Sequence, residues 1–421
     1  MSTLREAHAH IAQHGRAMSM LDLSAARSRD EMLDAIAARA RAMRAAQLPG
    51  WVLAHGARPE AWDDPRWPTV GELDRATGDR PCLAWCFDYH ALLVNTPALR
   101  ATRIGADTPD PQGGIIQRDR DGRVTGLLLE GAAGLAWSRV PEPTPAERKA
   151  HVRDALADLA RRGFGQVHDL KSQLWLGPLL AELDDDGALP CDVRLYPLVE
   201  DLPEVHRGKG AWERNSVRLA GGKIFTDGTL NSRTAWMLSP YADPIPEHPT
   251  GTPMMSPERI EDAVRACDAL GLPLAAHAIG DAAVRAVLDA IERVRPRAPL
   301  QRIEHAELID VADVPRFARL GVVCSVQPCH LLADIEALTR LLPHRLDRVL
   351  PLRDLIDAGC EPGELLWFGS DTPIVRPDPE DSVRAATQRR REGMDASVAI
   401  APSQAIGEAE AWACFHGVRG G

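Results

Sequence analysis

No apolar run in the 421-residue sequence approaches the roughly 20 residues that span a bilayer, and no basic start followed by a short apolar core marks a secretory leader. An excess of positive charge is also lacking. Forty-nine Lys and Arg face sixty Asp and Glu, a formal net charge of -11, which argues against a broad electrostatic grip on nucleic acid or anionic lipid. The eight Cys form no clip. Their close pairs, Cys82 with Cys86 and Cys324 with Cys329, lack the two-residue gap of a zinc or redox motif, so free thiols in a reducing cytoplasm are expected. There is no internal repeat and no low-complexity tract, and "GGK" at 221–223 lacks the P-loop spacing. What is present is ordinary for a globular chain: 45% hydrophobic and 26% charged residues. The length allows one large domain or a few ordinary ones.

From about residue 163 onward, short apolar or β-branched runs alternate with helical patterns, as expected of repeated βα units and a parallel sheet. The expected strands are "FGQVHDL" (164–170), "CDVRLYPLV" (191–199), "VRLAGGKIFTDG" (217–228), "LPLAAHAIG" (272–280), "QRIEHAEL" (301–308), "VVCSVQP" (322–328) and "LLWFGSD" (365–371). A strand at the start of the chain, ahead of and including His8, brings the set to the count of a (β/α)8 barrel. Residues of about 20–160 break the repeat. A helix over 29–46, strands at "WVLAHG" and "PCLAWCFD", and a hairpin over 113–130 turned at Asp121-Gly122 lie inside it. The expectation is one barrel over 1–421, with this segment inserted between the first two strands so that it covers the active-site face.

The chemistry is expected at the strand ends. In "LREAHAHIAQHG" His8 and His10 are two residues apart, which on a strand places both side chains on one face. Lys223, His277, His305 and Asp371 each fall near the C-terminal end of a later strand, where barrel enzymes place catalytic groups. Each has a plain structural alternative. His277 could be a satisfied core histidine, Lys223 could pair with Asp227, and Asp371 could cap the following helix. The recurrence of such residues in barrel order favours a site. His330, after the seventh strand, is a candidate to stabilise a developing oxyanion, or else a solvent-facing loop residue. His168 and Asp169 could line the pocket or simply finish the second strand.

The stretches "AHAH", "GGKIFTDGTLNSRTAW", "AAHAIGDAAV", "RIEHAEL" and "FGSDTPIV" resemble successive motifs of the amidohydrolase superfamily, in the family 3 branch that includes N-substituted formamide deformylase. "FDYHALLVNTPAL", "GRVTGLLLEGA" and "VQPCH" also look like family segments. The resemblance implies a metal-dependent hydrolase in a distorted (β/α)8 TIM barrel. It implies one or two divalent ions, in all expectation zinc, with His8 and His10 on one, His277 and His305 on the other, a carboxylated Lys223 between them and Asp371 completing the site. Zinc lowers the pKa of its water to about 7, and Asp371 would act as general base and then acid. Arg233, His90 and Asn95 match family positions that face the substrate.

The implied reaction is hydrolysis of a C-N bond in a small amide, N-acyl or N-formyl compound. Hydrolytic deamination of a ring or amidine is the alternative, as is a metal barrel that binds without turnover. The chain departs from the family in its short lead-in, with Glu6 where relatives carry Asp, and in its short tail. Together these suggest loss of the β-sandwich found in relatives, which would leave a flank to be covered by a second copy. Self-association is therefore expected, and light scattering during size-exclusion chromatography checks it; a clean monomer would refute it.

Overall fold

A computed structural model describes residues 3–59, 62–87, 89–111 and 114–416. The chain divides into two compact units, one made of residues 1–11 and 153–421, the other of 12–152. The second unit thus begins and ends several residues earlier than the expected 20–160 segment.

Nine strands form the first unit: β1 (Leu4–Ala9), β2 (Phe164–Leu170), β3 (Asp192–Tyr196), β4 (Val217–Leu219), β5 (Gly222–Phe225), β6 (Leu274–Ala278), β7 (Arg302–His305), β8 (Val323–Val326) and β9 (Leu366–Phe368). All pairings are parallel, in the orders β1-β2-β3-β4 and β5-β6-β7-β8-β9. Two single bridges extend these sheets, Leu198 with Lys223 and Ala9 with Thr372. Parallel strands joined by helices are covered on both faces, and β1 after its first residue, β6, β7, β8 and β9 are buried at every position. The run expected as one strand over 217–228 is two, because it changes partners: β4 lies along β3, while β5 lies along β6. At the intervening Gly221, a Cβ would lie 2.6 Å from the Pro273 carbonyl oxygen and from the Tyr196 ring.

The helices follow the expected signals. Pro257–Ala269 starts at Ser256, whose hydroxyl accepts from the Arg259 amide, and it buries Ile260, Ala263, Val264 and Cys267 along one stripe. Gly271, with φ +70°, turns the chain into β6. No helix of the described residues is long and apolar enough to cross a membrane.

The second unit holds a mixed six-stranded sheet in the spatial order 21–22, 52–57, 82–86, 91–94, 124–130 and 114–118. The expected helix forms over Arg29–Ala45, capped by Ser28 and burying Met32, Ile36, Ala40 and Met43. The hairpin around Asp121-Gly122 pairs 114–118 with 124–130. Asp88 and Gly113, the outer residues of two expected strands, lie outside the described residues.

In the first unit, the first strand meets the end of the last. At Gly369, just after β9, an added Cβ would sit 2.6 Å from the His8 amide nitrogen and 2.8 Å from Glu6 Oε1. Gly369→Ala should therefore lower stability by about 1–3 kcal/mol, read as a lower midpoint in urea unfolding; an unchanged midpoint would show that the chain can part there without cost.

Candidate metal centre

β1 delivers His8 and, just past its end, His10. The loop after β9 delivers Asp371 to meet them. Its backbone N–H donates to the His8 carbonyl at 2.7 Å, and the His10 N–H donates to the Thr372 carbonyl at 3.0 Å. Glu6, fully buried on the same strand, braces this junction: its Oε1 accepts from the amides of His8 (3.0 Å) and Ser370 (2.8 Å). Burial pushes the Glu6 carboxyl up to about 7, against the pull of those two amides.

The histidine tautomers follow from their other partners. His10 Nδ1 donates to the Leu170 carbonyl at 2.5 Å, so in the neutral ring the Nε2 lone pair faces Asp371 Oδ1, 2.9 Å away. His8 Nδ1 donates to Glu304 Oε2 at 2.7 Å, and its Nε2 faces the same oxygen at 3.4 Å. Gln327 lies 3.2 Å from that Nδ1. The Gln327 amide nitrogen donates to the Ser325 carbonyl oxygen at 3.4 Å. Three acceptors thus converge with no donor between them, which is the electrostatics of a cation site. His8, His10 and Asp371 offer ligand atoms all within 4.8 Å of one another.

His277 ends β6 and His305 ends β7, with ring centroids 4.4 Å apart; the His8 ring is 4.9 Å from that of His305. Alternation on β7 puts Arg302 and Glu304 on one face and would send His305 to the other. At His305 the backbone instead enters the left-handed region, φ +70°, and the ring joins its neighbours; Asp371 does the same at φ +60°. Left-handed backbone at non-glycine residues is strained, and here it falls on two of the converging groups. Burial lowers His8 to about 4 and His277 to about 3 and pushes His305 well down, so these rings are neutral donors near pH 7. Asp371 is opposite in sign: burial would raise it, but His8, His10 and His305 hold it well below the usual carboxylate range.

Lys223 on β5 is wholly buried, and among the described residues its Nζ has no hydrogen-bond partner. Burial lowers the amine to about 8, while Glu304 and Asp371 oppose that shift. It does not pair with Asp227. That carboxylate accepts from the backbone amides of Trp236 (2.8 Å), Gly280 (2.9 Å) and Ile279 (3.1 Å). Nor does Asp371 cap the next helix, whose cap is Asp378. His330 is buried rather than solvent-facing: Nε2 lies 3.2 Å from the Ser370 carbonyl oxygen and Nδ1 3.8 Å from Glu307. Burial works against its charge, but Glu307, Asp371 and Asp334 outweigh it and raise the ring to about 9.

Other expected contacts have local tasks. Arg233 pairs with Asp243 at 2.9 Å on the surface. His90 Nδ1 lies 2.7 Å from Glu130 Oε2 within the second unit. Asn95 is corrected to a structural residue: it caps the helix Thr96–Thr102, with Oδ1 accepting from Cys82 and Ala98 amides and Nδ2 donating to Thr77 Oγ1 and the Arg80 carbonyl. No polar capacity is left for a ligand. His168 Nδ1 accepts from Arg302, and Asp169 accepts from the Ile11 amide, so these two also serve the fold. Sequence reading missed Arg302, Glu304 and Gln327. The signal for the first two was an opposite-charge pair two apart in the otherwise apolar "RIEH".

A buried acceptor set of this kind could hold a metal ion, and the known proteins that the chain resembles include metal-dependent hydrolases. A solved structure of a metal-dependent hydrolase from Pyrococcus horikoshii OT3 superposes with a TM-score of 0.76 at 26% identity, over 98% of this chain and 79% of that one. One from Pyrococcus furiosus gives 0.73 at 26% identity, over 98% and 80%. Residues 4–413 match the Amidohydrolase family. YtcJ of Bacillus subtilis (strain 168), described as an amidohydrolase, is 31% identical over 91% of this chain and 72% of its own length. N-substituted formamide deformylase of Arthrobacter pascens is 27% identical over 90% and 75%. The chain belongs to the amidohydrolase family.

Asp227 organises the loop that follows β5. Asp227→Asn offers only one oxygen to three backbone donors and leaves a buried N–H facing another, at a cost of about 1–3 kcal/mol. A thermal midpoint that falls is expected; one that stays put would mean these loops are held by other contacts.

Proposed function

We propose that the protein hydrolyses a C-N bond in a small amide, N-acyl or N-formyl compound at a divalent metal centre, within strands closed into a distorted (β/α)8 barrel. The observation that carries this reading is the convergence of the His8, His10 and Asp371 acceptors beside the unpartnered buried amine of Lys223. The bridges at Leu198–Lys223 and Ala9–Thr372 support closure, since they join the two runs of strands at both ends.

In this reading His8 and His10 would hold one ion and His277 and His305 a second, with Lys223 as an N-carboxylated lysine completing the set. The side chains fit. A buried ammonium would repel the ions, whereas addition of carbon dioxide to the neutral amine, with release of a proton to solvent, makes the same side chain an anion with two oxygen donors. When bound, zinc or a similar ion supplies Lewis acidity toward a carbonyl and makes water a nucleophile near neutral pH. Asp371 would serve as the general base toward an attacking water and then as the acid toward the leaving nitrogen. His330, held charged between Glu307 and Ser370, is placed to donate to an oxyanion. The formamide substrate class of the deformylase relative makes N-formyl amines the first compounds to try.

Purified protein should contain one or two equivalents of divalent metal, carry the mass of one carbon dioxide on the Lys223 peptide under native conditions, and release amine from N-formyl or N-acyl amines. Asp371→Asn should reduce that rate by roughly 100- to 10,000-fold. Ammonia release from a ring or amidine, with a single ion and unmodified Lys223, would move the assignment to a deaminase. Ligand binding that survives both metal removal and His277→Ala would make the protein a binding protein.

A further inference from the structure

Beneath the metal centre lies a buried polar chain that the proposed reaction does not use. Arg302 and Glu304, two apart on β7, project to the same face and form an ion pair with neither side chain exposed. The guanidinium has no acceptor capacity, so its partners are constrained. Nη1 donates to His168 Nδ1 at 2.9 Å, which leaves the proton of that ring on Nε2, 3.1 Å from Gln166 Oε1. Nη2 donates to the Ala7 carbonyl at 2.6 Å and to Ser325 Oγ at 3.0 Å. Ala7 is the residue immediately before His8. The guanidinium also lies over the rings of Tyr196 and Trp367, at 5.0 and 5.1 Å from their centroids.

From this arrangement we infer that Arg302 and Glu304 are positioning residues for the metal centre: together they fix the tautomer, orientation and backbone of His8. Glu304 accepts the hydrogen bond of the His8 Nδ1–H and so would leave the Nε2 lone pair for an ion. Arg302 pairs with Glu304 and holds the β1 backbone at Ala7. Carboxylate partners of this kind raise the donor strength of a liganding imidazole, and their loss commonly weakens metal binding 10- to 100-fold. His277 is held differently: its Nε2 faces the Gly228 carbonyl at 3.2 Å, and the nearby Asp227, at 3.5 Å, is already engaged by three amides. The two sides of the centre should therefore differ, with the His8 side dependent on Glu304.

This inference rests on the proposed metal reading, and the experiment separates the two. Zinc binding to the full chain, stripped of metal by chelation, is measured by competition with a chromophoric chelator for wild type, Glu304→Gln and the charge-neutral double variant Arg302→Met/Glu304→Gln, with circular dichroism as the check on folding. Wild type should bind zinc, and in both variants the tightest site should weaken 10- to 100-fold. Variants that bind as wild type does, within twofold, overturn the positioning role and leave the metal reading intact. A wild type that binds no zinc overturns both. Should neither variant fold, nitrogen-15 histidine spectra of the metal-free wild type decide: His8, assigned by its loss in His8→Gln, must carry its proton on Nδ1, and a proton on Nε2 refutes the inference.

Discussion

Glu6 ties the first strand of the larger unit to the end of its last, and the metal centre depends on that junction. A single buried carboxylate oxygen accepts the amides of His8 and Ser370, and the close approach is possible because position 369 has no side chain. His8 and His10 come from one terminus of the chain and Asp371 from near the other. Nothing local holds them together. The brace helps to bring their ligand atoms within 4.8 Å of one another.

The centre is otherwise an exercise in burying charge with partners. Neutral imidazoles face one ionised carboxylate, and the amine of Lys223 sits among them without a hydrogen bond. Such a group is costly in a dry interior. The carboxylation proposed for it would turn the amine, which has no hydrogen-bond partner among the described residues, into an anion that cations could offset. The outer contacts are equally directed: Leu170 orients His10, Glu304 orients His8, and Ser370 meets His330.

The smaller unit teaches a different lesson. Asn95 and His90 lie in segments that look like family motifs, yet Asn95 joins a strand, a helix start and the preceding turn through four hydrogen bonds. A recurring segment can serve the fold rather than the substrate, so family likeness does not by itself assign a pocket contact.

Sequence alone determined the larger pattern. Alternating βα units, the helix at 29–45 and the hairpin at Asp121-Gly122 were legible because hydrophobic period and turn chemistry are local properties. So were His8, His10, Lys223, His277, His305 and Asp371 as candidates, since each lies on or just after an apolar stretch of strand pattern. The tertiary structure decided the rest. It split 217–228 between two partners, buried His330, turned His168 into an acceptor for Arg302, and recruited Glu304 to His8 across nearly three hundred residues. The left-handed backbone at His305, whose ring lies beside those of His8 and His277, breaks the alternation on which strand reading relies. Partner choice among buried polar groups is set by which strands meet, and spacing along one strand carries no record of its neighbours.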